Sequence, residues 1–121
     1  MNFEKLNVNP LGKKFGDCSV RALAKATGKD WLTVYDELYQ LGRTICCLPN
    51  DTETIKIYLD EFPHDTCIAV KGKKRPAVKD FIKGTYVLMV ANHWTCVKDG
   101  VCYDLWDCRK CCVYRYWKIE E

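Results

Sequence analysis

A cysteine stands at Cys18, directly after Gly16-Asp17 and at the head of the run Ser19-Val20-Arg21-Ala22-Leu23-Ala24. A thiol attacks carbonyl carbon as its thiolate, and an ordinary cysteine has a pKa of about 8.5. The first turn of a helix lowers that barrier, because its free N–H groups and positive dipole end favour a nearby negative charge. The same N–H groups can hold the oxyanion formed when a carbonyl is attacked. Thiol chemistry also needs a proton carrier, and the chain has only two histidines. His64 lies in Phe62-Pro63-His64-Asp65, which reads as a solvated turn. His93 opens a β-branched and aromatic stretch, Asn92-His93-Trp94-Thr95.

A third group follows from hairpin geometry. Asp99-Gly100 is a strong two-residue hairpin signal. With that pair in the turn, Lys98 faces Val101, Val97 faces Cys102, Cys96 faces Tyr103 and Thr95 faces Asp104, and Trp106 comes opposite His93. Side chains alternate along a strand, so Asp104 falls on the face of His93, one diagonal step away. A carboxylate there can fix the imidazole tautomer and stabilise imidazolium. Asp107 projects to the other face in this register and is the alternative orienter if a bulge intervenes. Asp17, beside the nucleophile, either caps the helix or opposes the thiolate.

The elements that must carry these residues can be read along the chain. Residues 1–15 read as an irregular arm of turn formers. A first helix runs from Cys18 to Thr27 and stops at Gly28. Asp30 caps a second, from Trp31 to about Tyr39, with Gly42 as its end. A third spans Thr52 to about Glu61, capped by Asn50 or Asp51. A short strand is expected at 67–70, a basic loop at 71–76 and a helical turn or two at 77–82. Strands at 85–91, 93–98, 101–106 and 112–119 complete the chain. Helices first and a β-meander after them describe one α+β domain over residues 1–121.

Composition narrows the function classes. A formal charge of +3 in 121 residues is mild. It does not call for a nucleic-acid partner, and the Lys71–Arg75 cluster reads as a solvated loop. No apolar run approaches the ~20 residues of a membrane helix. Met1–Asn9 lacks the apolar core of a signal peptide, so a cytoplasmic protein without membrane association is expected. Nine cysteines are an odd count, unlike a secreted disulfide framework. Cys108-x-x-Cys111-Cys112 is half a zinc knuckle. Its other half would have to come from Cys46-Cys47 or from His93 and Cys96, which an odd spacing sends to opposite strand faces. Thiols, with no cofactor and no metal, are the favoured reading; a zinc-stabilised binding domain is an alternative.

The residues Gly16-Asp17-Cys18, Arg21-Ala22-Leu23, Trp31, Val34-Tyr35, Asn92-His93, Asp99-Gly100, Tyr103-Asp104, Trp106-Asp107, Val113-Tyr114 and Tyr116-Trp117 together resemble a group of small proteins common in bacteriophages and their bacterial hosts. Those in turn resemble papain-like cysteine peptidases in their order of Cys, His and Asp. The resemblance covers about residues 7–118. It implies a papain-like fold, with a Cys18 helix packed against an antiparallel sheet. It also implies Cys18 as nucleophile, His93 as general base and acid, and Asp104 as orienter, acting on a protein or peptide in a bacterial or phage-infected cell. The chain departs from the protease signature at Gly12, where that family's oxyanion-hole glutamine would stand, six residues before the cysteine. Asn9 or Asn7 on the arm is the candidate replacement donor. Acyl transfer of the transglutaminase kind would use the same parts, and an inactive interaction module would keep the fold without the chemistry.

Overall fold

A computed structural model describes residues Met1–Glu121. Three helices and a mixed six-stranded sheet make up an α+β fold. In chain order these are β1 (Asn2–Lys5), α1 (Cys18–Thr27), α2 (Trp31–Ile45), α3 (Thr52–Tyr58), β2 (His64–Thr66), a 3-10 turn at Val78–Asp80, β3 (Thr85–Val90), β4 (His93–Lys98), β5 (Val101–Asp104) and β6 (Arg115–Glu120). The sheet order is β1-β5-β4-β3-β6-β2. No helix is long and apolar enough to cross a membrane.

The β4–β5 hairpin has the register that its turn dictates: Cys96 faces Tyr103, Val97 faces Cys102 and Lys98 faces Val101. Asp99 and Gly100 take φ of 48° and 79°, the left-handed values that a tight hairpin turn requires. β5 stops at Asp104, where the carboxylate accepts a hydrogen bond from the Leu105 N–H at 2.7 Å and turns the chain out of the ladder.

The amino-terminal arm corrects the irregular reading of residues 1–15. Asn2–Lys5 joins the sheet as a parallel edge strand on β5, so the sheet is mixed rather than antiparallel. Asn2 N–H donates to Gly100 O and Leu6 N–H to Asp104 O, and Phe3 packs into the core. A four-residue parallel strand has no turn next to it in sequence, so nothing local announces it.

Other boundaries moved for identifiable reasons. α2 continues through Gly42 to Ile45 and ends at Cys46, whose φ is 59°. Gly42 is buried inside the helix because the chain folds back there, with Cys47 O only 2.5 Å from where a Cβ would sit. α3 ends at Tyr58, one turn before Glu61. The strand expected at 67–70 lies instead at 64–66 against β6, which places His64 in a strand rather than in a solvated turn. There Arg115 Nη2 lies 2.7 Å from its Nδ1.

Two apolar clusters occupy the two sides of the sheet. One gathers Val20, Leu23, Ala24, Val34, Leu38 and Ile55 of the helices against Val87, Trp94, Cys96 and Trp117. The other gathers Val78, Leu88, Val97, Cys102, Cys108 and Val113. Seven of the ten α1 residues are buried, Ser19 and Arg21 among them, so this helix is an interior element. That fixes its first turn against β4.

Candidate active site

Cys18 is the first residue of α1 and is partly exposed. The N–H groups of the first turn have no acceptor from within the helix; the first such bond runs from Arg21 N–H to Asp17 O. The residue that ought to cap them, Asp17, does not, since no side-chain cap bond is present. Its carboxylate is turned away and held by three donors: Arg21 Nε at 2.9 Å, Trp31 Nε1 at 3.0 Å and Asn9 Nδ2 at 3.0 Å. Asp17 therefore neither caps the helix nor opposes the thiolate. It leaves the helix end uncapped by its own side chain beside a cleft.

That cleft has a volume of about 490 Å³, and Cys18, Ser19, His93, Asn50, Thr52 and Tyr114 are among its lining residues. His93 enters it from the start of β4, immediately after Asn92, which holds a left-handed φ of 52°. Asparagine tolerates that conformation better than a branched residue would. His93 Nε2 is 2.6 Å from Asp104 Oδ2, and both side chains are buried. The ring also stacks at a tilt on Trp106, with centroids 4.8 Å apart. The register that puts Asp104 one diagonal step from His93 thus brings the two groups into contact.

The electrostatics of Cys18 and His93 are reciprocal. Burial pushes the Cys18 thiol up, but the hydrogen bond with His93, the Trp94 backbone N–H and the nearby charges of His93 and Arg21 outweigh it and hold the thiol below its ordinary range. Burial pushes His93 down, while its bonds to Asp104, Cys108 and Cys18 and the Asp104 charge reverse this and raise it. Burial likewise works against ionised Asp104, and the His93 and Thr95 hydrogen bonds, the His93 charge and the Leu105 N–H bring its carboxyl below the usual value. With Nε2 directed at Asp104, Nδ1 is the ring nitrogen left for a thiol partner.

No family model matches this chain, and neither a curated protein nor a solved structure matches it significantly.

The remaining sequence candidates fall in different places. Asp107 is exposed and chelated by the guanidinium of its neighbour Arg109, at 2.8 and 2.9 Å, which draws its carboxyl down to about 2. It is not in the His93 contact. Asn9 and Asn7 are structural. Asn9 Oδ1 accepts from the Leu11 and Lys13 N–H groups while its amide donates to Asp17. Asn7 donates to Lys13 O and accepts from Asn9 N–H. Neither lines the cleft, whose lining includes Cys18 and Ser19 of the first turn of α1 and Asn50. One or other arm asparagine was the candidate replacement for the missing glutamine, because the arm precedes the cysteine; local hydrogen bonds claim both instead.

The half-knuckle at Cys108–Cys112 does not meet either pair that the zinc alternative would need. Cys96 packs on the helical side of the sheet and Cys108 on the other, and Cys46-Cys47 end α2. All nine cysteines are free thiols. Burial pushes Cys96 up to about 12, which makes it inert. In the basic loop, Arg75 is tied to Cys67 O at 2.9 Å and lies over the Tyr114 ring.

Arg21 is the residue that the sequence reading passed over. It bonds Asp17 and also reaches Asp104, Nη1 to Oδ1 at 3.6 Å, so one buried guanidinium links the helix carrying Cys18 to the orienter of His93. The four-residue spacing of Asp17 and Arg21 was a usable signal. Its extension to Asp104 was not, since it crosses from helix to sheet.

Proposed function

We propose that the chain is a cysteine-dependent acyl hydrolase of peptidase or isopeptidase type, with a papain-like arrangement of Cys18, His93 and Asp104. The observation that carries this reading is the arrangement itself: a helix-start thiol and an imidazole line one cleft, and the imidazole Nε2 is 2.6 Å from a buried carboxylate. A structural histidine needs one partner; this one joins a lowered thiol to a lowered carboxyl across three elements, the pattern of a tuned nucleophile.

The chemistry follows from the positions. The Cys18 thiolate attacks the carbonyl carbon of an amide, and the oxygen becomes an oxyanion facing the first-turn N–H groups of α1. The C–N bond breaks as imidazolium His93 gives its proton to the leaving amine, and a thioester remains on Sγ. Neutral His93 then takes a proton from water, which attacks the thioester, and Sγ leaves as thiolate. Replacing that water by an amine gives acyl transfer with the same groups. Asp104 holds the ring and balances imidazolium throughout.

The alternative reading, an interaction module that keeps the fold without the chemistry, is favoured by one feature. Leu11 and Phe15, on the loop leading to Cys18, are 80% and 93% exposed. Labelling with an electrophilic thiol probe separates the two. Under the hydrolase reading Cys18 reacts first among the nine thiols near neutral pH, and a screen of acyl and peptide substrates finds turnover that Cys18→Ala abolishes. Uniform labelling across the nine, with no turnover, would favour the module.

A further inference from the structure

Two buried thiols take no part in the proposed hydrolysis, yet one of them adjoins the His93–Asp104 pair and the other adjoins that thiol. Cys102 and Cys108 are 0% and 1% exposed, with their sulfurs 3.7 Å apart. Cys108 Sγ is 3.6 Å from Asp104 Oδ2, the same oxygen that meets His93 Nε2. The ligand atoms of His93, Asp104 and Cys108 all lie within 4.8 Å of one another, the one such group of three in the molecule. We propose that His93, Asp104 and Cys108, joined by Cys102 on a rotation of its side chain, form a tetrahedral site for a thiophilic divalent cation of the zinc class, and that its occupancy and the action of His93 on Cys18 exclude one another.

Two edges of the site already have the lengths such an ion requires. With zinc–sulfur bonds of about 2.3 Å, a tetrahedron has a sulfur–sulfur edge of about 3.8 Å and a sulfur–oxygen edge of about 3.5 Å. The observed 3.7 and 3.6 Å match both. Two adjustments complete the tetrahedron: the His93–Asp104 contact opens from 2.6 Å toward about 3.4 Å as its hydrogen bond gives way to two metal bonds, and Cys102 Sγ, outside the close group of three, turns in toward the ion. Charge also balances. Two thiolates and a carboxylate on a divalent ion leave one negative charge, and Arg21 stands 3.6 Å from the other Asp104 oxygen. Thr95 Oγ1, 3.7 Å from Cys102 Sγ, supplies a hydrogen bond to a ligand sulfur, as metal sites generally require. Buried thiols alone are ordinary core residues; two of them beside a His–Asp pair are a donor set.

On binding, metal–water bonds are exchanged for two metal–Sγ bonds, one metal–Oδ2 bond and one metal–Nε2 bond. The thiol protons, and the Nε2 proton of His93, leave to solvent, with no change of oxidation state. The exclusion clause rests on the hydrolase reading, since His93 with Nε2 on the metal cannot shuttle a proton. The site itself does not depend on that reading.

The test is a cobalt(II) titration of the reduced full-length protein, with zinc as competitor. One equivalent is expected to give the intense visible bands of tetrahedral cobalt with a thiolate charge-transfer band. Cys102→Ser and Cys108→Ser should each weaken binding by at least about tenfold, while Cys18→Ala and Cys111→Ser retain it. Because the buried serines can unfold the chain, the wild-type protein is also followed by cysteine 13Cβ shifts, which zinc should move at Cys102 and Cys108 alone. Shifts at Cys111 and Cys112 instead, or no stoichiometric cobalt complex, would overturn the site; selective Cys18 labelling in that same protein would leave the hydrolase reading standing. With the site formed, saturating zinc should slow Cys18 alkylation by about tenfold or more, and an unchanged rate would overturn the exclusion.

Discussion

Asp17 and Asp104 are buried carboxylates that share one guanidinium, and this sharing sets what single substitutions do. Removing Arg21 leaves both acids without their common cation. Arg21→Ala is therefore expected to cost about 3–5 kcal/mol in urea unfolding, the range for breaking a buried ion pair. Arg21→Lys should recover only part of it, because a point charge cannot reproduce the fork between Asp17 Oδ1 and Asp104 Oδ1. The two aspartates once competing as orienter separate in the same way. Asp104→Ala, measured on folded protein, should slow Cys18 alkylation near neutral pH by at least about tenfold, since one pKa unit of lost thiolate is a factor of ten. Asp107→Ala should leave that rate within about twofold, because its only partners are the backbone and side chain of Arg109. Equal effects from the two would contradict the assignment of Asp104.

The elements place these residues through local rules, some of them plainly written in the chain. The α1 helix runs from Cys18 to Thr27 with Gly28 left-handed at φ 77°, as Gly28 and the apolar spacing indicated. Asp30 caps α2 by accepting from the Thr33 N–H at 2.7 Å. Asp30→Ala should lower stability by about 1 kcal/mol in a denaturant melt. Gly42 was the misleading residue. It reads as a helix stop, yet it is the point where helix and returning chain touch, and its role depends on Cys47 O being 2.5 Å away in space. Gly42→Ala, favourable by helix propensity alone, should instead destabilise by about 1–3 kcal/mol through overpacking. A gain in stability would contradict that contact. Asp99-Gly100 was the most informative pair, because a two-residue turn fixes register and hence places Asp104 relative to His93.

For the whole molecule, what could be read in sequence was what is encoded locally: caps, apolar period, turn type and the register they set. What escaped was contact between distant segments. Strand β1 is held by β5, about a hundred residues away. Arg21 joins helix to sheet. Cys108 is carried by the irregular chain after β5 to the His93–Asp104 pair. The arm asparagines stand near the cysteine in sequence, yet local turns claim their side chains. The α+β architecture thus brings a helix start and a strand start to one cleft, with a strand end in contact with the strand-start histidine. The central claim is that the cleft holds Cys18 as a thiolate paired with His93. The most direct measurement is the site-resolved rate of Cys18 alkylation against pH, by mass spectrometry, in the wild type and in His93→Ala. A lowered thiol keeps its thiolate at pH values where ordinary thiols are protonated, so the wild-type midpoint should lie below about 8.5. In His93→Ala burial is no longer offset by the imidazole, and the midpoint should rise to the ordinary range or above it. A wild-type midpoint at or above about 8.5, unmoved by His93→Ala, would contradict the account.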